Sequence, residues 1–133
     1  ALDRSYPRMS RWSSRLIDRA RFNGGHITTP SGRVLPVDRG YEYRLVNHIV
    51  QSTSADLFKG ALIGVSKAGF NQNLLLPVHD ELVCVANREE AEELGREIAE
   101  LMSDQLGQVP LVAEAKVAGP SWGHAYQMEF VNA

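Results

Sequence analysis

Two apolar runs, Leu74 to Val78 and Leu82 to Ala86, enclose the charged trio His79-Asp80-Glu81. No other stretch restricts the folding of this 133-residue chain as strongly. Short apolar runs of this kind read as strands, and unpaired charges do not sit inside a buried strand. A tight turn near His79-Asp80 meets both demands, so residues 73–86 predict a hairpin of two buried strands. Pro77 is awkward in that assignment, because it has no N–H to give to a sheet ladder.

The rest of the chain is arranged around this hairpin. Residues 1–25 read as an arginine-rich helix, with Tyr6, Met9, Trp12, Leu16, Ile17 and Ala20 on one face and Asn23-Gly24-Gly25 as its stop. Residues 26–36 read as a hairpin turning at Pro30-Ser31-Gly32, with pairing ended by Pro36. Residues 42–68 carry the longest helical pattern, facing a core with Leu45, Ile49, Leu57, Ala61 and Val65, and Gly69 stops it. Residues 87–107 predict a further helix, capped by Asn87 and striped with Ala91, Leu94, Ile98 and Leu101. Its six glutamates (89, 90, 92, 93, 97, 100) must largely face water. Residues 109–133 supply a last strand, Leu111 to Val117, and a tail with Trp122, Tyr126 and Phe130. There is no repeat and no linker. Hairpin-joined strands with helices over one face give a single α+β domain built on an antiparallel sheet.

Charge is unevenly spread. Residues 1–44 hold nine arginines against four acids, and residues 45–133 hold five basic residues against twelve acids. A polyanion is drawn to the first third and repelled by much of the remainder, although a solvated helix accounts for the same arginines. No run of about 18 apolar residues suggests a membrane span, and the N-terminus lacks the apolar core of a signal peptide. A single cysteine, Cys84, forms no internal disulfide, which suits a reducing compartment and a cytoplasmic location.

Chemistry concentrates at the trio. A carboxylate held at a hairpin tip with no nearby lysine suits a hard cation such as magnesium, and a solvated turn suits the same residues. Adjacent acids in a strand point to opposite faces, so Asp80 and Glu81 are not a matched chelating pair unless the turn relaxes that rule. The histidines His26, His48, His79 and His124 lack metal-finger spacing. There is no nucleophile elbow or phosphate-cradling glycine loop. On the long helix, Asn47 and Gln51 lie four apart and share a face. Such amides can read the acceptors that every base pair offers in the minor groove, or form a plain polar stripe.

Taken in order, these segments resemble the bacterial DNA polymerase I family, family A. Val78-His79-Asp80-Glu81-Leu82 is similar to its motif C, VHDEL between two apolar strands. Asn47 to Asp56 resembles the family's N-x-P-x-Q-G-T-A-A-D helix. Thr29 to Arg33, followed by Leu35-Pro36, resembles its T-x-x-G-R-R hairpin. Tyr6-Pro7, Val109-Pro110-Leu111 and Trp122 fit the flanking landmarks. The resemblance covers roughly residues 5–126 and implies the C-terminal part of a polymerase palm. It implies that Asp80 is one of two aspartates holding two Mg2+ ions, that Glu81 lies beside the site as a weaker metal ligand, and that His79 borders the primer terminus. Arg33, Asn47 and Gln51 would touch the primer-template duplex. The implied substrates are deoxynucleoside triphosphates added to a primer 3′ end, in a bacterial or phage-infected cell.

The departures are specific. Ser52 and Ser54 replace a glycine and an alanine, Ile49 stands at the proline, Tyr43 at an arginine that is followed here by Arg44, and Pro77 at a glutamine. They point to a divergent branch such as a phage-borne one. The family's other metal-binding aspartate, in D-Y-S-Q-I-E-L, and its nucleotide-gripping helix do not occur in this sequence. Two-metal transfer needs both aspartates to hold ions about 4 Å apart. The expectation is therefore a chain that is inactive alone and depends on fingers, thumb and the remaining palm, in the same or another chain. A non-catalytic DNA-binding or regulatory remnant of a polymerase is the alternative, and an unrelated phosphoesterase using Asp80 is a third.

Overall fold

The computed structural model describes residues 2–124. Tyr126 and Phe130 lie outside the described residues. The described residues are mixed α and β, and the chain divides into two compact units, Ala1–Asp56 and Leu57–Ala133. Among the described residues the strands pair as three antiparallel hairpins.

The first unit opens with a short turn of helix, α1 (Leu2–Ser5), and then α2 (Pro7–Phe22). Pro7 occupies the first turn of α2, where its missing N–H costs nothing. Arg19 and Arg21 lie in the last turn, where cations complement the helix dipole. Gly24 and Gly25, both at positive φ, reverse the chain, and the Gly25 N–H returns to the Ala20 carbonyl at 2.8 Å. The expected apolar face is only half used. Leu16 and Ala20 are buried, whereas Tyr6, Met9 and Trp12 are exposed because no element of this unit covers the first turns.

The first hairpin joins β1 (His26–Thr28) to β2 (Val34–Pro36), with Ile27 opposite Leu35. Its loop, Pro30-Ser31-Gly32, has proline where a type I turn favours it and Gly32 at φ 90, the three-residue pattern that closes in the left-handed region. Pro36 closes the ladder as a paired residue, opposite His26. A 3-10 turn, Glu42–Arg44, leads into α3 (Leu45–Lys67). Leu16, Ala20, Ile27 and Leu45 form the buried core of this unit, with Ile17, Leu35, Val37, Val46 and Ile49 packed around them.

In the second unit, α3 ends before Gly69, which takes φ 99 as a left-handed stop. Then β3 (Leu74–Val78) pairs with β4 (Glu81–Cys84). Leu75 is an extra residue between the rungs Leu74–Cys84 and Leu76–Val83, a bulge that bends the strand. The expected burial holds only for Val83. Leu75, the bulged residue, is 63% exposed.

Helix α4 (Ala91–Met102) is shorter than expected at both ends. Asn87 to Glu90 form a turn in which the Asn87 amide donates to the Glu90 carboxylate, so Glu90 and not Asn87 occupies the cap position. At the far end Ser103 turns extended, donating its hydroxyl to the Ala99 carbonyl and accepting from the Ala113 N–H. Of the expected stripe, Ile98 is buried and Ala91 and Leu94 are half-buried, while Leu101 turns outward. The chain from Asp104 then forms a third hairpin, β5 (Asp104–Leu106) with β6 (Val109–Leu111), around Gly107 at φ 64. The last strand therefore ends at Leu111 instead of running to Val117. Residues 112–118 run alongside α4 without a ladder. A Cβ at Gly95 would lie 3.0 Å from that of Ala115, so this approach depends on the glycine.

Candidate functional site

The second unit carries the charged trio at the tip of the β3–β4 hairpin. Val78 pairs with Glu81, leaving a two-residue loop of His79 and Asp80. His79 has φ 55 and is the one non-glycine residue with positive φ among the described residues. Positive φ at a two-residue hairpin loop position normally selects glycine, asparagine or aspartate. Histidine tolerates the left-handed region better than branched residues, at a cost of about 1–3 kcal/mol. Strain of that size is retained only where the surroundings hold it.

Asp80 is exposed, and none of the ion pairs among the described residues involves it. Glu81 differs. It is half-buried and its Oε1 accepts a hydrogen bond from the Trp122 indole at 2.9 Å. The two adjacent acids are thus distinguished by their surroundings, one solvent-facing at the tip and one held from the side. Among the described residues there is no cluster of three His, Cys, Asp or Glu able to enclose a metal ion. Cys84, half-buried in β4, has its thiol pKa pushed up by burial, which suits an inert packing residue.

The residues expected to contact a duplex lie in the first unit. Asn47 and Gln51 are both exposed on α3, on the side opposite the buried Leu45 and Thr53. Arg44 continues that exposed row one turn earlier. Its guanidinium lies 4.5 Å from the centre of the Tyr41 ring and 5.5 Å from that of Tyr43. Arg33 is engaged differently: its guanidinium pairs with the Asp56 carboxylate, which also accepts from the Ser31 hydroxyl and, at 3.5 Å, from that of Thr29. Thr29 in turn accepts from the Arg33 N–H at 3.1 Å. Asp56 thereby ties the tip of the first hairpin to α3. Sequence reasoning singled out Arg33 without this partner, and an acid five residues beyond Gln51 gave no sign of it. The Tyr41-x-Tyr43-Arg44 pattern was the available signal for the aromatic cluster.

Comparison with known proteins follows the same outline. A family model described as DNA polymerase family A matches residues 2–124. The chain is 41% identical over 128 residues to the DNA polymerase of Mycobacterium phage D29, covering 96% of this chain and 21% of that protein. Identity to the DNA polymerase of Mycobacterium phage L5 is 37% over 130 residues, covering 98% of this chain and 22% of that protein. DNA polymerase I of Geobacillus stearothermophilus is 31% identical over 133 residues, covering 89% of this chain and 15% of that protein. The chain thus spans about a fifth of the length of its phage relatives.

Proposed function

The chain belongs to DNA polymerase family A, and from that premise we propose that it is the C-terminal part of a polymerase palm, presenting Asp80 to the metal ions of nucleotide addition. The observation that carries this reading is the Asp80 carboxylate, exposed at the tip of a strained two-residue loop and engaged in no ion pair among the described residues. A carboxylate oxygen is a donor that magnesium accepts readily, so the residue fits the ion. One carboxylate does not make a complete site, and the second aspartate would come from elsewhere in the polymerase.

Two magnesium ions, when bound, would stabilise the charge that develops as a primer 3′-hydroxyl attacks the α-phosphate of a deoxynucleotide. The chain's own residues do the positioning. Asp80 would hold its oxygen at a fixed point, because the loop is closed by the Val78–Glu81 rung. His79 would border the primer terminus from the neighbouring loop position. Asn47 and Gln51, exposed on α3, would offer amides to minor-groove acceptors that are alike for all base pairs. Arg33 would act on the duplex only to the extent that Asp56 releases it. The excess of arginine in residues 1–44 would favour the approach of the DNA backbone.

This reading expects the isolated chain to leave a primer unextended in the presence of template, nucleotides and magnesium. In a primer-extending polymerase that contains the chain, Asp80→Ala should abolish extension while duplex binding persists. Near-normal turnover in that variant would remove the metal role and leave a non-catalytic duplex-binding segment.

A further inference from the structure

The contact between Trp122 and Glu81 joins residues 41 positions apart, at the rung that closes the loop bearing Asp80. The loop holds His79 at positive φ, so its geometry depends on whatever restrains that rung. Trp122 is itself restrained. The Ser121 hydroxyl and the His124 Nδ1 are 2.7 Å apart, and the His124 N–H donates to the Ser121 carbonyl at 3.0 Å. A Cβ at Gly119 would come within 3.2 Å of the His124 ring, so the turn closes tightly. An indole has a single N–H and no acceptor, and here that N–H is committed to a carboxylate, which makes a strong, directional bond.

We propose that Trp122 is a positioning residue whose indole clasps Glu81, fixing the closing rung of the Asp80 loop and keeping the Glu81 carboxylate out of the metal's ligand set. Glu81 then serves as a strut and Asp80 as the ligand, so the two adjacent acids have separate duties. The catalytic meaning of this clasp rests on the polymerase reading above, whereas the bond itself does not.

Two measurements decide it. In the 15N-labelled chain, the indole resonance of Trp122 is told from that of Trp12 by a Trp12→Phe variant. Glu81→Ala should shift the Trp122 indole signal, and Glu81→Gln, which keeps an acceptor oxygen, should leave it close to its original position. An indole signal indifferent to Glu81→Ala overturns the clasp. In a primer-extending polymerase containing the chain, Trp122→Phe and Glu81→Ala should each lower kcat about tenfold with little change in KM, a loss of the size that one hydrogen bond to a charged group sustains. The double variant should lose no more than either single one, and Glu81→Gln should recover most of the loss. A further loss in the double variant, or a Glu81→Gln enzyme as slow as Glu81→Ala, would make Glu81 a metal ligand and overturn the proposal. Asp80→Asn is the control for the reading beneath it. Full extension in that variant removes the catalytic role of the loop, while the indole resonance still judges the bond.

Discussion

Replacing Asp56 with alanine removes the ion pair to Arg33 together with the acceptor for Ser31 and Thr29, the contacts by which α3 holds the first hairpin. The Asp56 side chain is 13% exposed and that of Arg33 40%. The pair therefore lies between a surface ion pair, worth about 0.2–1 kcal/mol, and a shielded charged hydrogen bond, worth about 1.5–3 kcal/mol. Exposure of the guanidinium argues for a coupling of about 1 kcal/mol. Ser31 is exposed and regains water, and Thr29 retains Ser31 and the Arg33 N–H, so the lost hydroxyl contacts add about 1 kcal/mol more. Asp56→Ala should then destabilise the chain by about 2 kcal/mol, a fall in Tm of about 7 °C for a chain of this length. Urea and thermal unfolding of Asp56→Ala, Arg33→Ala and the double variant form a cycle that isolates the pair. A coupling below about 0.3 kcal/mol, within ordinary additivity, would refute the pairing and return Arg33 to the pool of arginines available to DNA.

His79→Gly should relieve the positive φ and raise stability by about 1 kcal/mol despite the added backbone freedom of the unfolded chain, as read by urea midpoint. In a polymerase containing the chain, Gln51→Ala should slow extension from matched primer ends by about 1–3 kcal/mol, similarly for all base pairs. Single-turnover extension checks it, with a mispaired end showing a smaller difference between variant and parent. The Cys84 thiol, its pKa raised by burial, should react with a thiol reagent along a pH profile displaced upward from that of a small-molecule thiol. Because the folded state keeps that proton more tightly, its contribution to stability is present below the ordinary thiol pKa and declines as pH rises through that value toward the folded one.

Where local chemistry decides the backbone, the sequence was informative. Gly24-Gly25, Pro30-Ser31-Gly32 and Gly69 announced their turns, and the switch from apolar to charged at His79 announced the hairpin tip. Where tertiary surroundings decide, it was not. Asp104-Gln105-Leu106 continues a helical composition, and the extended Ser103 that breaks it is held by Ala99 and by Ala113, ten residues away. Gly107 was the available hairpin signal, and by position Gly107 and Pro110 fit a helix stop equally well. Tyr6, Met9 and Trp12 show the right periodicity, yet periodicity reports which residues share a face and not whether anything lies against it. At the site, the position of Asp80 at a hairpin tip was legible from the switch in residue type, whereas its assignment to a metal ion came from the family resemblance and not from the turn itself. The different circumstances of Glu81 and Arg33 were hidden, since each depends on a partner more than twenty residues distant.

Splitting the strands into three two-stranded ribbons has a consequence for handling the protein. Among the described residues no ribbon has a third strand, so outward-facing N–H and C=O groups along its long sides are not laddered there and are templates for another strand. The β3–β4 ribbon carries this hazard, since its apolar Leu75 and Leu76 lie at the surface beside those groups. Pro77 and the Leu75 bulge interrupt the regular spacing that a docking strand would need. Removing both interruptions would turn the ribbon into a flat apolar strip, and self-association through intermolecular β-pairing would then compete with folding.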